Sequence, residues 1–306
     1  MKSHHFLAHC LSTPWAMDPS AMAVYASILA RAYGRRDGVA FDAGAQALAP
    51  EALAAAPSRS SGMRQGNIAL IQVFGTIVQR SAQLGPCEGG TSTNDIGNAL
   101  NAALADETVS QILMEFDTPG GSVFGVAELG DKIRAARAMK PVVGIANSMA
   151  ASAGYWLMSQ CGECYMTPGG QVGSIGVYTA HQDISKAMAE AGINVTLISA
   201  GKYKVEGNPF APLDEEASAF TQASVEDYYA MFTGAVAKGR NAPVAAVRDG
   251  MGQGRCLGAD AALAAGMVDG VMTFDQVAKK MMNSAKAARN GRSALAAARL
   301  ELAVHG

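Results

Sequence analysis

Between residues 63 and 282 short apolar runs alternate with amphipathic stretches, and that alternation restricts the chain to one class of architecture. Residues 68–74, 112–116, 142–146, 164–166, 172–177 and 195–199 read as strands, short and dominated by apolar side chains. Residues 123–139, the stretch from Ala151, residues 184–190 and residues 214–238 read as helices. Two shorter helices near Pro243 and Gly258 and a last one from Thr273 complete the pattern. A sheet covered by the helices that join its strands is the economical way to bury such a pattern. The expectation is an α/β domain on a largely parallel sheet.

Outside this region the chain reads differently. Residues 1–62 hold one helix, from Pro19 to Tyr33, and then an Ala-rich stretch at 43–62 broken by Pro and Ser, which reads as a linker. Residues 63–283 form the domain, and residues 284–306 an Ala/Arg-rich tail. With 49% hydrophobic and 16% charged residues, the 306-residue chain can build a sizeable core and is not globally disordered. A net charge of −2 gives no basis for a nucleic-acid partner. No apolar run approaches the roughly 20 residues of a membrane span, and the N-terminus lacks a signal-peptide pattern. A cytoplasmic setting is expected. The five cysteines are scattered, and Cys161-x-x-Cys164 has no second pair or spaced histidines beside it. They read as structural thiols, with no metal or cofactor implied.

Ligands of an open α/β sheet bind at the carboxyl ends of its strands, and three Gly- and Ser-rich loops fall there. The first is Asp117-Thr118-Pro119-Gly120-Gly121. The second lies in Asn147–Ser159, where Ser152 stands among Ala150, Ala151, Ala153 and Gly154 at a strand-to-helix turn. The third is Gly173-Ser174-Ile175-Gly176. Small neighbours let a carbonyl approach Ser152, and backbone N–H groups at such a turn suit an oxyanion. Packing of a small-residue helix explains the same residues. A serine nucleophile needs a base, and His181, Lys202 and Lys204 are the candidates. Asp183 reads as a helix cap rather than an acid orienting His181. A lysine serves as base only when neutral, which burial favours.

Taken together, DTPGGSV, NSMAASAGYWLMS, GSIGV and SAGKYKVEGNPFAPL resemble the signal peptide peptidase A (protease IV) family of serine proteases, in the family's order and approximate spacing. The resemblance implies a ClpP/crotonase-like fold with repeated β-β-α units and a Ser-Lys dyad. It maps the nucleophile onto Ser152, with Ala153 where the family has glycine, the general base onto Lys204, and a supporting serine onto Ser174. It gives the oxyanion to the backbone of Gly121 and Ser152, with Gly120 as an alternative donor. Lys204–Leu213 and the early Leu11-Ser12-Thr13-Pro14-Trp15-Ala16 are similar to the tailed-phage and prophage branch, minor capsid protein C-like head proteases.

That branch implies a serine endopeptidase, free of cofactor, that processes scaffold, portal or head proteins in the cytoplasm or the procapsid. It also implies homo-oligomers whose clefts a neighbouring subunit completes. Substrates are extended and carry small or apolar residues beside the cut, with Met149, Tyr155, Trp156 and Val177 as pocket candidates that core packing explains equally well. Two other readings stand beside it: a cytosolic signal-peptide-peptidase-like enzyme clearing small peptides, and a crotonase-like structural head component whose dyad is vestigial.

Overall fold

The computed structural model describes residues 14–17, 63–65, 67–83 and 89–287. The helix expected at 19–33, the linker at 43–62 and the tail beyond residue 287 lie outside the described residues. The main sheet begins with β2 (Met63–Gln65) antiparallel to β3 (Ile68–Phe74), whose seven residues run parallel to Gln111–Asp117 of β6 (Gln111–Thr118). Beside β6 lies β8 (Val142–Ala151), and beyond β8 lie β9 (Glu163–Met166) along its first half and β10 (Gln171–Gly173) along its second, all parallel. An antiparallel strand, β11 (Cys256–Gly258), closes that edge, and β12 (Gly270–Val271) pairs with β9.

Burial follows the two-residue period of the strands. Ile112, Met114 and Phe116 point into the larger core, while Leu113 joins Ile68, Val143, Ile145 and Tyr165 on the opposite face. The larger core is covered by α1 (Thr93–Ala105), α2 (Val126–Ala136), α3 (Ala153–Met158) and α5 (Glu215–Arg240). Between α3 and α5 lies the short α4 (Ser185–Glu190), and after α5 come α6 (Val244–Gly250) and α7 (Ala259–Ala264). The second face is closed by α8, residues 274–287, through Val277 and Met281. Gln111 Nε2 donates to Met281 O at 3.0 Å and anchors that helix to β6.

A second, smaller sheet of order β1-β7-β4-β5 holds β1 (Trp15–Met17), β4 (Thr76–Val78), β5 (Gly90–Ser92) and β7 (Gly120–Ser122). Its strands are only three residues long, too short to show a two-residue period, so the sequence pattern did not announce them. Helix α1 was likewise missed, although Ser92 caps it by accepting the Asp95 N–H at 3.0 Å.

Two expected strands need correction. The 172–177 strand ends at Gly173, because Gly173 (φ 125°) and Ser174 (φ 52°) turn the chain out of the ladder. The 195–199 strand is not formed. Among the described residues it has no partner edge, and Val195, Leu197 and Ile198 are 39%, 42% and 96% exposed. An apolar run becomes a strand only when its backbone groups find a ladder.

The long helix α5 starts at Asp214, whose side chain accepts the Ala217 N–H at 2.7 Å, and ends at Arg240. Arg240 donates to both Asp269 carboxylate oxygens, at 3.0 and 2.7 Å, and Asp269 also accepts the Cys164 N–H at 2.7 Å. One clasp thus joins α5, β9 and the chain entering β12. Burial alone would raise the Asp269 carboxyl, but the guanidinium and the Cys164 N–H outweigh it and hold the group below its ordinary value. The folded pKa therefore lies below the unfolded one. The stabilisation is complete above the unfolded value of about 4 and is lost as pH falls through the folded value. Asp269→Asn should cost about 1–2 kcal/mol at neutral pH, since it removes the counter-charge of a guanidinium only 8% exposed while its partner is 40% exposed. Urea denaturation should also show a shallower loss of stability below about pH 4 in this variant than in the native chain.

Candidate active site

The neighbours β6, β8 and β10 run parallel, so the three Gly- and Ser-rich loops after them emerge side by side. The register between β6 and β8 supplies a local feature. Phe116 faces Ala146, but Thr118 faces Ala150, so β8 bulges at residues 147–149 before reaching Ser152. Asn147 Nδ2 fixes the bulge by donating to Glu115 Oε1 at 2.7 Å.

Ser152 is fully buried and has φ 52° and ψ −117°, outside the regions that L-residues ordinarily occupy. Such backbone costs on the order of 1–3 kcal/mol and persists only where the surroundings hold it. Here the hold is visible. The Ser152 N–H donates to Gly173 O at 2.7 Å, the Ser152 carbonyl accepts the Trp156 N–H at 2.9 Å, and the hydroxyl faces Gly176 O at 3.5 Å. The Ser152 N–H is therefore engaged in the fold. The next N–H groups, of Ala153 and Gly154, open α3, where a helix provides no internal acceptor.

The glycine loop sits against this serine. A Cβ on Gly120 (φ 98°) would lie 2.9 Å from Ser152 Cβ, and one on Gly154 would lie 2.4 Å from Thr118 Cγ2. Thr118, fully buried, ties these parts together. Its hydroxyl donates to Gly75 O at 2.6 Å and accepts the Gly120 N–H at 3.1 Å, while its methyl packs on Gly154. Thr118 lies in the DTPGG run, but its role was not foreseen, because only packing shows that one side chain serves two loops.

Ser174 also has positive φ (52°), is 4% exposed, and its N–H donates to Arg255 O at 2.9 Å. It stands one residue beyond the carbonyl that binds the Ser152 N–H, so the two serines share one turn of backbone. The candidate bases are placed elsewhere. His181 Nε2 contacts Ala211 O at 3.2 Å, and Asp183 accepts the Ser185 N–H at 2.8 Å at the start of α4. Lys202 bonds Glu216 Oε1 at 2.9 Å and the Tyr203 hydroxyl at 2.7 Å. Lys204 is exposed in the turn at 202–207, and among the described residues its ammonium has no hydrogen bond or ion pair. The structure brings Gly120, Ser152 and Ser174 together, and among the described residues no hydrogen bond joins Lys204 to them.

Of the pocket candidates, Met149 is half-buried in the β8 bulge, and Val177 lines a cleft of about 520 Å³ with Gly176, Tyr229 and Arg248. Tyr155 is a core residue whose hydroxyl donates to Met267 O at 3.0 Å, and Trp156 stacks on Phe232 at 4.7 Å. Cys161 and Cys164 are buried free thiols, and burial pushes Cys164 up to about 12, so neither ionises near neutrality. Among the described residues there is no cluster of three or more potential metal ligands, and no helix is long and apolar enough to cross a membrane.

A strained, buried serine lies at the C-terminal edge of a parallel sheet with a glycine loop packed on it, and sequence comparison gives the family in which this arrangement is to be read. Residues 134–288 match Peptidase family S49, and the chain belongs to that family. It is 34% identical over 237 residues to the capsid assembly protease C of Escherichia phage lambda, covering 74% of this chain and 54% of that protein. Identity to the head-tail preconnector protein GP5 of Enterobacteria phage P21 is 33% over 242 residues, 76% of this chain and 48% of that one. Protease 4 of Salmonella typhi is 29% identical over 222 residues, 72% of this chain and 35% of that one. The chain thus spans about half the length of the two phage proteins.

Thr118→Val retains the methyl on Gly154 but removes an acceptor and a donor from buried backbone groups. It should cost about 1–3 kcal/mol, read from the urea midpoint. If the Gly120 loop serves the reaction, kcat should fall more than KM changes.

Proposed function

We propose that this chain is a serine endopeptidase of the Ser-Lys type that processes proteins of an assembling phage head. The observation that carries the reading is the packing of Gly120, Ser152 and the Gly173–Gly176 turn at three adjacent strand ends. Family membership and the names of the two phage relatives support the peptidase class and the capsid setting. Ser152 Oγ attacks a peptide carbonyl, Lys204 takes its proton, and the lysine then protonates the leaving amine. Water releases the acyl-enzyme. Gly121 provides one side of the oxyanion site, since the Gly120 N–H is already held by Thr118 Oγ1 at 3.1 Å. Because Gly173 engages the Ser152 N–H, the Ala153 N–H at the start of α3 is the better second donor. Losing one such donor costs about 10²–10³ in kcat in other hydrolases. Ser174 steadies the lysine.

Lys204 must come to Ser152 for this chemistry. Two features support its arrival through self-association. Lys202 is already held by Glu216 while Lys204 is not, and the stretch before it exposes Ile193, Val195, Leu197 and Ile198 without a ladder. A second copy that pairs with this stretch would bury those side chains and seat the lysine. The protein is in this reading a homo-oligomer acting in the cytoplasm or procapsid.

Ser152→Ala and Lys204→Ala should each abolish cleavage of co-expressed head proteins, read by mass spectrometry, while Lys202→Ala and His181→Ala should retain it. Loss in His181→Ala with retention in Lys204→Ala would replace the dyad by a Ser-His pair.

A further inference from the structure

Ser152 has no exposed surface, and the segment packed beside it on the Gly120 side is strand β1 of the chain itself. A Cβ built on Gly120 would lie 2.3 Å from Ala16 O and 2.9 Å from Ser152 Cβ, so that carbonyl and the serine flank the same point. Strand β1 is antiparallel to β7, with Trp15 opposite Ser122, Ala16 opposite Gly121 and Met17 opposite Gly120. On its other edge Trp15 exchanges both backbone hydrogen bonds with Tyr178, at 2.8 and 3.0 Å. Antiparallel alternation then turns the N–H and C=O of Ala16 toward Gly121. Trp15, Ala16 and Met17 are 3%, 0% and 2% exposed.

The second edge of β7 belongs to β4, where Ile77 faces Gly121. An extended peptide can therefore pair with β7 beside Ser152 only where β1 now lies. From this we infer that β1 is an internal occupant of the peptide groove. It competes with substrate for one strand edge, and cleavage requires its withdrawal. The occupant also states what the groove takes: an extended segment with a small side chain, as at Ala16, between large apolar ones, as at Trp15 and Met17. The inference rests on the peptidase reading only for the fate of the bound peptide, not for its binding.

The probe is a dye-labelled synthetic peptide of residues 11–20, and the test protein is the full chain carrying Ser152→Ala, so that binding is read without chemistry. Adding Trp15→Ser and Met17→Ser should loosen β1 and tighten peptide binding at least tenfold by fluorescence anisotropy, since an occupied groove lowers apparent affinity by its open fraction. Equal affinity with and without the two substitutions, or no binding by either, overturns the inference. A second measurement leaves β1 intact. Trp15 is one of two tryptophans, and the other, Trp156, is 1% exposed in the core. Excess peptide with phenylalanine in place of its tryptophan should raise acrylamide quenching of the Ser152→Ala chain as Trp15 leaves the groove. Unchanged quenching at the highest peptide concentration overturns it. Cleavage assays in the Ser152 background separate the two readings. Competition without any hydrolysis removes the peptidase reading alone, whereas hydrolysis with the same kcat/KM in the native and Trp15→Ser/Met17→Ser chains removes the internal occupant alone.

Discussion

One side chain, Thr118, sets the distance between the glycine loop and the turn that carries Ser152. Its hydroxyl bridges the Gly75 carbonyl and the Gly120 N–H, and its methyl rests where a Cβ on residue 154 would stand. A buried hydroxyl with both its donor and acceptor engaged is rigid, because losing either bond leaves a backbone group without water to replace it. The chain from Gly75, the Gly120 loop and the first turn of α3 therefore move as one unit. The unusual backbone of Ser152 persists because that unit, together with Gly173, leaves it no alternative.

The sheet behind this unit supplies the stiffness. Seven residues of β3 pair with β6 in unbroken register, and β6 pairs with β8 until the bulge at 147–149. The bulge breaks the register along β8 and sets where its last residues meet β6 and β10. The Arg240–Asp269 clasp performs a related service at the far side, where it locks the end of α5 to β9. Core and site are thus parts of one packing solution.

Much of this was legible in the sequence, and the failures have physical causes. The 68–74 strand, the long helix from Asp214 and the three loops were readable because period and turn chemistry are local properties. The strand-to-helix turn at Ser152 was readable because an apolar run followed by small residues is a local pattern, although packing alone accounts for that pattern equally well. The small sheet was not readable, since three-residue strands carry no period, and β1 comes from a stretch that looked like an extension. Residues 195–199 looked like a strand on composition alone, yet a strand is a relation between two edges, and this run has none among the described residues. Lys204 illustrates the same limit. Its position in the chain could be matched to a family pattern, but its distance from Ser152 depends on a segment without a ladder.

The two halves of the proposed dyad consequently differ in mechanical character. Ser152 is fully buried at the end of a paired strand, whereas Lys204 rides on a turn preceded by side chains that face water. Segments with few buried contacts open at lower free energy than core strands. If the proposed dyad carries the reaction, thermal inactivation and thermal unfolding are separate events in this architecture, and loss of activity can precede any loss of the sheet. Stabilising the core and tuning the catalyst become independent problems, with different residues answering to each.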